Sequence, residues 1–385
     1  MEDKFEGYKR VLTDYEAENR LRAIPIDRES PSRIDLSGND YLGLAARREE
    51  FQRDFMNRCD AAFTSSASRL LASRQKHYQQ LEQLLQELYG NPALLFNSGY
   101  HANVGCISAL NIKGTVFLCD KLIHASVIDG LRVGNAEAAR WKHNDIAHLK
   151  RLLDKYDASA ERMIVVAESI YSMDGDMAPL SELISLKRQY PKMILYLDEA
   201  HAFGVRGEKG LGVAEELGVL TEIDILIGTF GKAGASAGAF AVTNPMLHTF
   251  LVNNARSLIF STAIPPINAC WTIEMIRRII NMNKEREYLK DISKDFRNFI
   301  SQITGKPNPS TSQIVPLPVG DAGKALEIAA RLGQADIDAL AIRRPTVPPG
   351  GERIRFSLNA ALSQEDIERV KKVLRVVIAN DEEND

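Results

Sequence analysis

The sequence has few of the residues from which metal or disulfide sites are built. Its 385 residues include only four cysteines, Cys59, Cys106, Cys119 and Cys270, with no CxxC or CxH pattern among them. Thiols so isolated exclude a zinc-ribbon reading and predict reduced, buried cysteines in a cytoplasmic protein with no metal site. Excess charge of one sign is also missing: 48 Lys and Arg stand against 51 Asp and Glu, a net of −3. That balance provides no basic field for nucleic acid or anionic lipid. Long apolar runs are absent as well. "SLIFSTAIPPINACWTI" carries no charge, but Pro265, Pro266 and several polar residues interrupt it, so it does not read as a membrane span. "MEDKFEGYKR" is charged from its second residue and lacks the apolar core of a signal peptide. No internal repeat or low-complexity tract is visible.

What is present is ordinary globular usage, 45% apolar and 26% charged, in a chain long enough for more than one domain. Phe5, Tyr8, Leu12 and Tyr15 recur at helical spacing, and "RIDLSGNDYLGL" reads as a short strand and a turn. Helical "YQQLEQLLQELYG" closes on Gly90. Short apolar runs then alternate with helical stretches: "ALLF", "TVFLC", "MIVVAES", "MILYLDEA" and "DILIG". Runs of this length without clean alternation suit strands covered on both faces, and the alternation predicts an α/β fold with a doubly wound, mostly parallel sheet. One long helix is expected over "WTIEMIRRIINMNKEREYLKDISKDFRNFISQI", followed by a smaller α+β unit. In that unit "RIRFSLN" alternates, with Ile354, Phe356 and Leu358 facing one way and Arg353, Arg355 and Ser357 the other. Ser363 and Asp366 mark the start of a closing helix. The division expected is an amino-terminal arm over 1–48, a large α/β domain over 49–283 and a small domain over 284–385.

The polar residues gather where each apolar run stops. Ser98 and Gly99 follow "ALLF" at a helix start; Asp120 and His124 follow "TVFLC"; Tyr171 and Ser172 follow "MIVVAES". Asp198 ends "MILYL", with His201 three residues on, and Thr229 and Lys232 follow "DILIG". Carboxyl ends of strands form the ligand crevice of open α/β sheets, so five strand ends deliver these groups to one region. Each has a structural reading too: a solvated lysine, a hydrogen-bonded histidine, a capping serine, a turn aspartate. Independent structural roles need not all fall at one sheet edge, however. Between Asp224 and Arg256, Lys232 is the one Lys, Arg, Asp or Glu side chain. An apolar setting disfavours an ammonium and suits a lysine that forms a Schiff base with an aldehyde cofactor. An aspartate facing a pyridine nitrogen turns such a ring into an electron sink, and a helix start binds its phosphate.

At these residues the sequence resembles the α-oxoamine synthases, pyridoxal-phosphate enzymes of fold type I. The resemblance runs from "NDYLGL" through "FNSGYHANVG", "HASVIDG", "SMDGDMAPL", "LDEAHAFGVRG", "GTFGKAGASAGAF" and "FSTAIPP" to "RPTVPPGGERIRFSL". It implies a cytoplasmic homodimer with shared active sites that joins an amino acid to an acyl-CoA or acyl-carrier-protein thioester with loss of CO2. "SMDGDMAPL", "KHNDIAHL" and "RRPTVPPG" lean toward L-alanine and a pimeloyl thioester, as in biotin biosynthesis. Sister activities use glycine or serine with other acyl-CoA donors.

Carried over by position, the resemblance implies that Lys232 holds pyridoxal phosphate and later moves the substrate Cα proton. Asp198 would pair with the pyridine nitrogen, His201 with the ring O3′, and His124 would stack on the ring. Ser98, Gly99, Tyr100 and Thr229 would surround the phosphate or nearby ring, and Ser172 would sit beside the ring. Thr262 would reach the phosphate of the neighbouring subunit. Arg355 would grip the amino-acid carboxylate, with Arg22 and Asn39 in the substrate region. The sequence departs from the family in the glycine-poor "TSSASRLLASRQKHYQQLE", in a histidine replaced or displaced to His77, and in Leu362. All three lie toward the acyl side.

Other classes fit less well. "GASAG" matches GxSxG, but Ser236 leads into a strand-like run and no acid lies between it and His248, the one later histidine. Gly228, Gly231 and Lys232 have two residues between the glycines where a P-loop has four, and Ala233 follows the lysine. A non-catalytic binding protein on the same fold would have no need of Lys232, Asp198 and His124 together.

Overall fold

A computed structural model describes residues 4–25, 30, 32–71, 73 and 75–382. The chain divides into two compact units, one of residues 39–172 and 176–288, the other of 1–38, 173–175 and 289–385. The expected divisions at 48 and 283 fall elsewhere. The described residues before Asn39 group with the carboxy-terminal unit, where Ile34–Asp35 pairs in parallel with Ile337–Asp338, and the second division falls inside the helix Asn283–Thr304.

The larger unit is built on a seven-stranded sheet. Its spatial order is Ala93–Phe96, Ala239–Thr243, Ile225–Thr229, Met193–Asp198, Arg162–Glu168, Thr115–Asp120 and Ala138–Trp141. Only Ala239–Thr243 runs against the others, so the sheet is mostly parallel, as the apolar runs predict. The five expected strands are all present, and their interior residues are buried on both faces. Beside Phe240 the sheet requires glycine: a Cβ on Gly228 would lie 2.2 Å from the Phe240 ring on the neighbouring strand. The helix Lys76–Tyr89 buries Tyr78, Leu81, Leu85 and Tyr89, one stripe at helical spacing, and ends on Gly90 at φ +78°.

The long helix expected after the proline pair is two, Pro266–Ile279 and Asn283–Thr304, broken around Asn281 and Met282. In the smaller unit, Arg353–Ser357 pairs antiparallel with Ile314–Pro318 and Leu340–Ile342. Both faces of this strand are covered: Arg355 and Ser357 are buried, as are Ile354, Phe356 and Leu358. Arg353 ion-pairs with Asp174, and the Ser357 amide donates to the Leu36 carbonyl. The closing helix Gln364–Glu382 starts with the reciprocal Ser363–Asp366 cap that the sequence predicts. The first helix, Glu6–Ala17, buries none of its aromatic stripe. Among the described residues no helix is long and apolar enough to cross a membrane.

Candidate active site

The site is assembled at the carboxyl ends of the parallel strands, where backbone direction changes and side chains leave the sheet. Lys232 lies in the loop after Ile225–Thr229, with Nζ 2.7 Å from Nε2 of His201, which follows Met193–Asp198. On its other side His201 presents Nδ1 to the Tyr41 hydroxyl at 2.7 Å, and Tyr41 donates to Oδ1 of Asn39 at 2.9 Å. With the Tyr41 proton given to Asn39, the network assigns the His201 proton to Nδ1. Its Nε2 lone pair then faces the lysine.

Asp198 is buried and held on both oxygens. Oδ1 accepts the Ala200 amide at 2.9 Å and Oδ2 accepts Nδ2 of Asn103 at 2.8 Å. Asn103 is fixed in turn by Tyr196, whose hydroxyl donates to Oδ1 at 2.7 Å, and it also donates to Ser126 Oγ at 3.0 Å. His124 caps the helix Ala125–Gly134 and pairs its Nδ1 with the Ser126 hydroxyl at 2.7 Å. Burial lowers the His124 pKa, the Asp198 charge opposes that and the Lys232 charge adds to it, so the ring is held neutral. Glu168 ends the strand beside Asp198, in direct register with it. Its Oε1 accepts the His124 amide at 2.5 Å. Burial first, and then the Asp198 charge, push its pKa well above the usual carboxylate range. The spatial surroundings of Lys232 are therefore not apolar like its sequence surroundings: Asp198 and the lysine both act on His124 and Glu168.

Ser98, Gly99, Tyr100 and Thr229 meet at the start of the helix Gly99–Leu110. Ser98 caps it, accepting the His101 amide at 3.2 Å. As first-turn groups, the Gly99 and Tyr100 amides have no acceptor within the helix. A Cβ on Gly99 would lie 3.8 Å from the Thr229 hydroxyl, so this open end and Thr229 adjoin. An anchored carboxylate, a neutral imidazole, an amine and an open helix start fit a phosphorylated pyridine aldehyde in every functional group.

Other expected residues lie as follows. The Tyr100 hydroxyl donates to Asp129 at 2.6 Å and its ring is half exposed. Thr262 is exposed, and its carbonyl accepts Nδ2 of Asn97 at 2.7 Å. Ser172 follows the strand Arg162–Glu168 and is half-buried. Arg22 and Arg355 belong to the smaller unit, where Arg22 donates to the Thr346 hydroxyl at 2.9 Å and Arg355 is buried. His77 pairs with Asp60 at 3.4 Å, Leu362 is buried, and Ala72 and Arg74 of the glycine-poor segment lie outside the described residues. Ser236, the serine of "GASAG", bonds Thr272 at 2.8 Å rather than a histidine.

Sequence reasoning missed Tyr41, Asn103, Ser126 and Glu168. Glu168 carries a legible signal, a carboxylate closing an apolar strand. It also missed a clamp one strand along. His143 bonds Asp120 at 2.8 Å and Asp176 at 2.7 Å, and its ring stands edge-on to Tyr171. Burial disfavours its charge, but the two aspartates outweigh that and raise its pKa to about 10.

Residues 31–374 match the family described as aminotransferase class I and II. A Pasteurella multocida protein that carries the provisional name 8-amino-7-oxononanoate synthase is 46% identical over 374 residues, covering 94% of this chain and 96% of that one. Among solved structures, serine palmitoyltransferase from Sphingomonas wittichii superimposes with a TM-score of 0.87 at 28% identity, covering 97% and 98% of the two chains. The 8-amino-7-oxononanoate synthase of Francisella tularensis gives 0.76 at 25%, covering 92% and 99%. The chain therefore belongs to the aminotransferase class I and II family, as one of its α-oxoamine synthases. It is an enzyme of fold type I.

Proposed function

We propose that this enzyme condenses L-alanine with a pimeloyl thioester, carried by CoA or a carrier protein, to give 8-amino-7-oxononanoate, CO2 and free thiol. The observation that carries the reading is the placement of Lys232, bonded to His201, at the same strand ends as an anchored Asp198. The identity to a relative provisionally named for that activity supports the choice of substrates.

Pyridoxal phosphate is the cofactor, and when bound it supplies an electron-poor ring that takes up the electron pair left at the amino acid's Cα. Lys232 would hold its aldehyde carbon through Nζ and, once the substrate amine takes that place, receive the Cα proton on the same nitrogen. His201 keeps Nζ in position for both tasks. Asp198 would face the ring nitrogen, its charge kept in place by Asn103 and the Ala200 amide. Neutral His124 offers a flat face for the ring without adding a competing positive charge. Ser98, Gly99, Tyr100 and Thr229 would take the phosphate, with Ser172 beside the ring. Arg355 would grip the substrate carboxylate, with Arg22 and Asn39 in the substrate region. The working form is a cytoplasmic homodimer in which Thr262 serves the partner's phosphate.

A panel of alanine, glycine and serine against pimeloyl, acetyl, succinyl and palmitoyl thioesters, read by thiol release, tests the reading. Alanine with the pimeloyl donor is expected to give the highest kcat/KM. The closer superposition on serine palmitoyltransferase favours a second reading, serine with a long acyl thioester. Preference for that pair would replace the substrates and leave the family unchanged.

A further inference from the structure

Composition predicts four buried thiols, but only Cys106 and Cys119 are buried; Cys59 and Cys270 are partly exposed. They also face one another. The segment around Cys59 lies along one stripe of the helix Pro266–Ile279, as three contacts show. The Phe55 ring stands edge-on to Trp271 with centroids 5.0 Å apart. The Arg58 guanidinium is 3.7 Å from the Glu274 carboxylate. The Ala62 carbonyl accepts the Ile267 amide at 3.0 Å. Residues 267, 270, 271 and 274 share one helix face, and residue 270 is the member of that face left for Cys59 to meet. Both cysteines line one cavity of about 350 Å³, which is open to small solutes.

We propose that Cys59 and Cys270 are a modification site, a thiol pair that a hydroperoxide converts to an intramolecular disulfide. Burial, and then the hydrogen bond to Cys59, push the Cys270 thiol up to about 12, so Cys270 keeps its proton and Cys59 is the sulfur that attacks the peroxide oxygen. In the first step a Cys59 S–O bond forms, the peroxide O–O bond breaks and water (or an alcohol) leaves. In the second the Cys270 sulfur displaces the hydroxyl from Cys59. The S–S bond forms, the S–O bond breaks, and the Cys270 proton leaves with the oxygen as water. Two thiols lose two electrons and the peroxide gains them. The link pins the segment that follows Cys59, which already lies against Thr262 and Ala263 through the Ala263–Ala67 hydrogen bond and the Ser68–Thr262 bridge. The inference stands whether or not the proposed substrates are correct.

Hydrogen peroxide treatment of the folded, cofactor-loaded protein, followed by non-reducing peptide mapping, tests it. The expected product is a peptide pair joined through Cys59 and Cys270. The intact mass, measured after alkylation of the remaining thiols, should be lower than that of the fully reduced, alkylated protein by two alkyl groups, and dithiothreitol given before alkylation should restore it. Cys270→Ser should instead leave a Cys59 sulfenic acid that dimedone traps. The proposal is overturned if wild-type protein gives no linked peptide, whether Cys59 is then found as sulfinic acid, joined to another molecule or unchanged.

Discussion

Lys232 Nζ and His201 Nε2 stand 2.7 Å apart, and the orientation of that histidine is set by a hydroxyl on its far side. Tyr41 lies between His201 and Asn39, so removing its oxygen frees the imidazole to rotate without touching the lysine. Tyr41→Phe should lower kcat about fivefold, the worth of one hydrogen bond of about 1 kcal/mol. KM for the amino acid should stay near its original value. A change confined to KM would place Tyr41 at the substrate instead.

Lys232→Ala should lower turnover by about four orders of magnitude, the upper range for a proton-transferring group. The protein should still bind pyridoxal phosphate through the helix start and Asp198, as equilibrium dialysis would show. Turnover within tenfold of wild type, roughly 1.4 kcal/mol in barrier, would contradict the assignment.

Asp198→Asn keeps the shape and removes the charge. Turnover should fall by about 10²–10³, the range for losing one electrostatic stabiliser in a closed site. Asn103→Leu leaves Asp198 charged but strips one oxygen of its donor and leaves the Tyr196 hydroxyl without its acceptor. It should cost about 1–3 kcal/mol of stability, measured by urea unfolding, and lower turnover less than Asp198→Asn does.

The His143 clamp predicts a pH signature. The folded pKa, about 10, lies above the ordinary 6.5, so the folded state binds the extra proton between those values. Its stabilisation is complete below about pH 6.5 and is lost as pH rises toward 10. His143→Gln should cost about 2 kcal/mol at pH 6, less than a fully buried pair because the ring is a quarter exposed. The gap in Tm between variant and wild type should close as pH approaches 10.

The parallel strands and the gathering of Asp198, His201, His124 and Lys232 at their ends were legible in the sequence for one reason: each apolar run ends in a polar group, and the sheet lines those ends up. Asn103 and Tyr41 were harder to find because their roles depend on side chains far along the chain, at Asp198 and His201. The burial of Arg355 and Ser357 was hidden because period-two alternation does not tell a solvated face from a polar face covered by other chain segments. The break near Met282 has no proline or glycine to mark it.

The central claim is that the Lys232 amine is the group that captures pyridoxal phosphate. Protein loaded with the cofactor, reduced with borohydride and digested for mass spectrometry tests it most directly. The account predicts a yellow protein before reduction, loss of that colour on reduction, and a pyridoxyl group on Lys232 alone. A label on another lysine, or loaded protein that stays colourless and unlabelled, would contradict it.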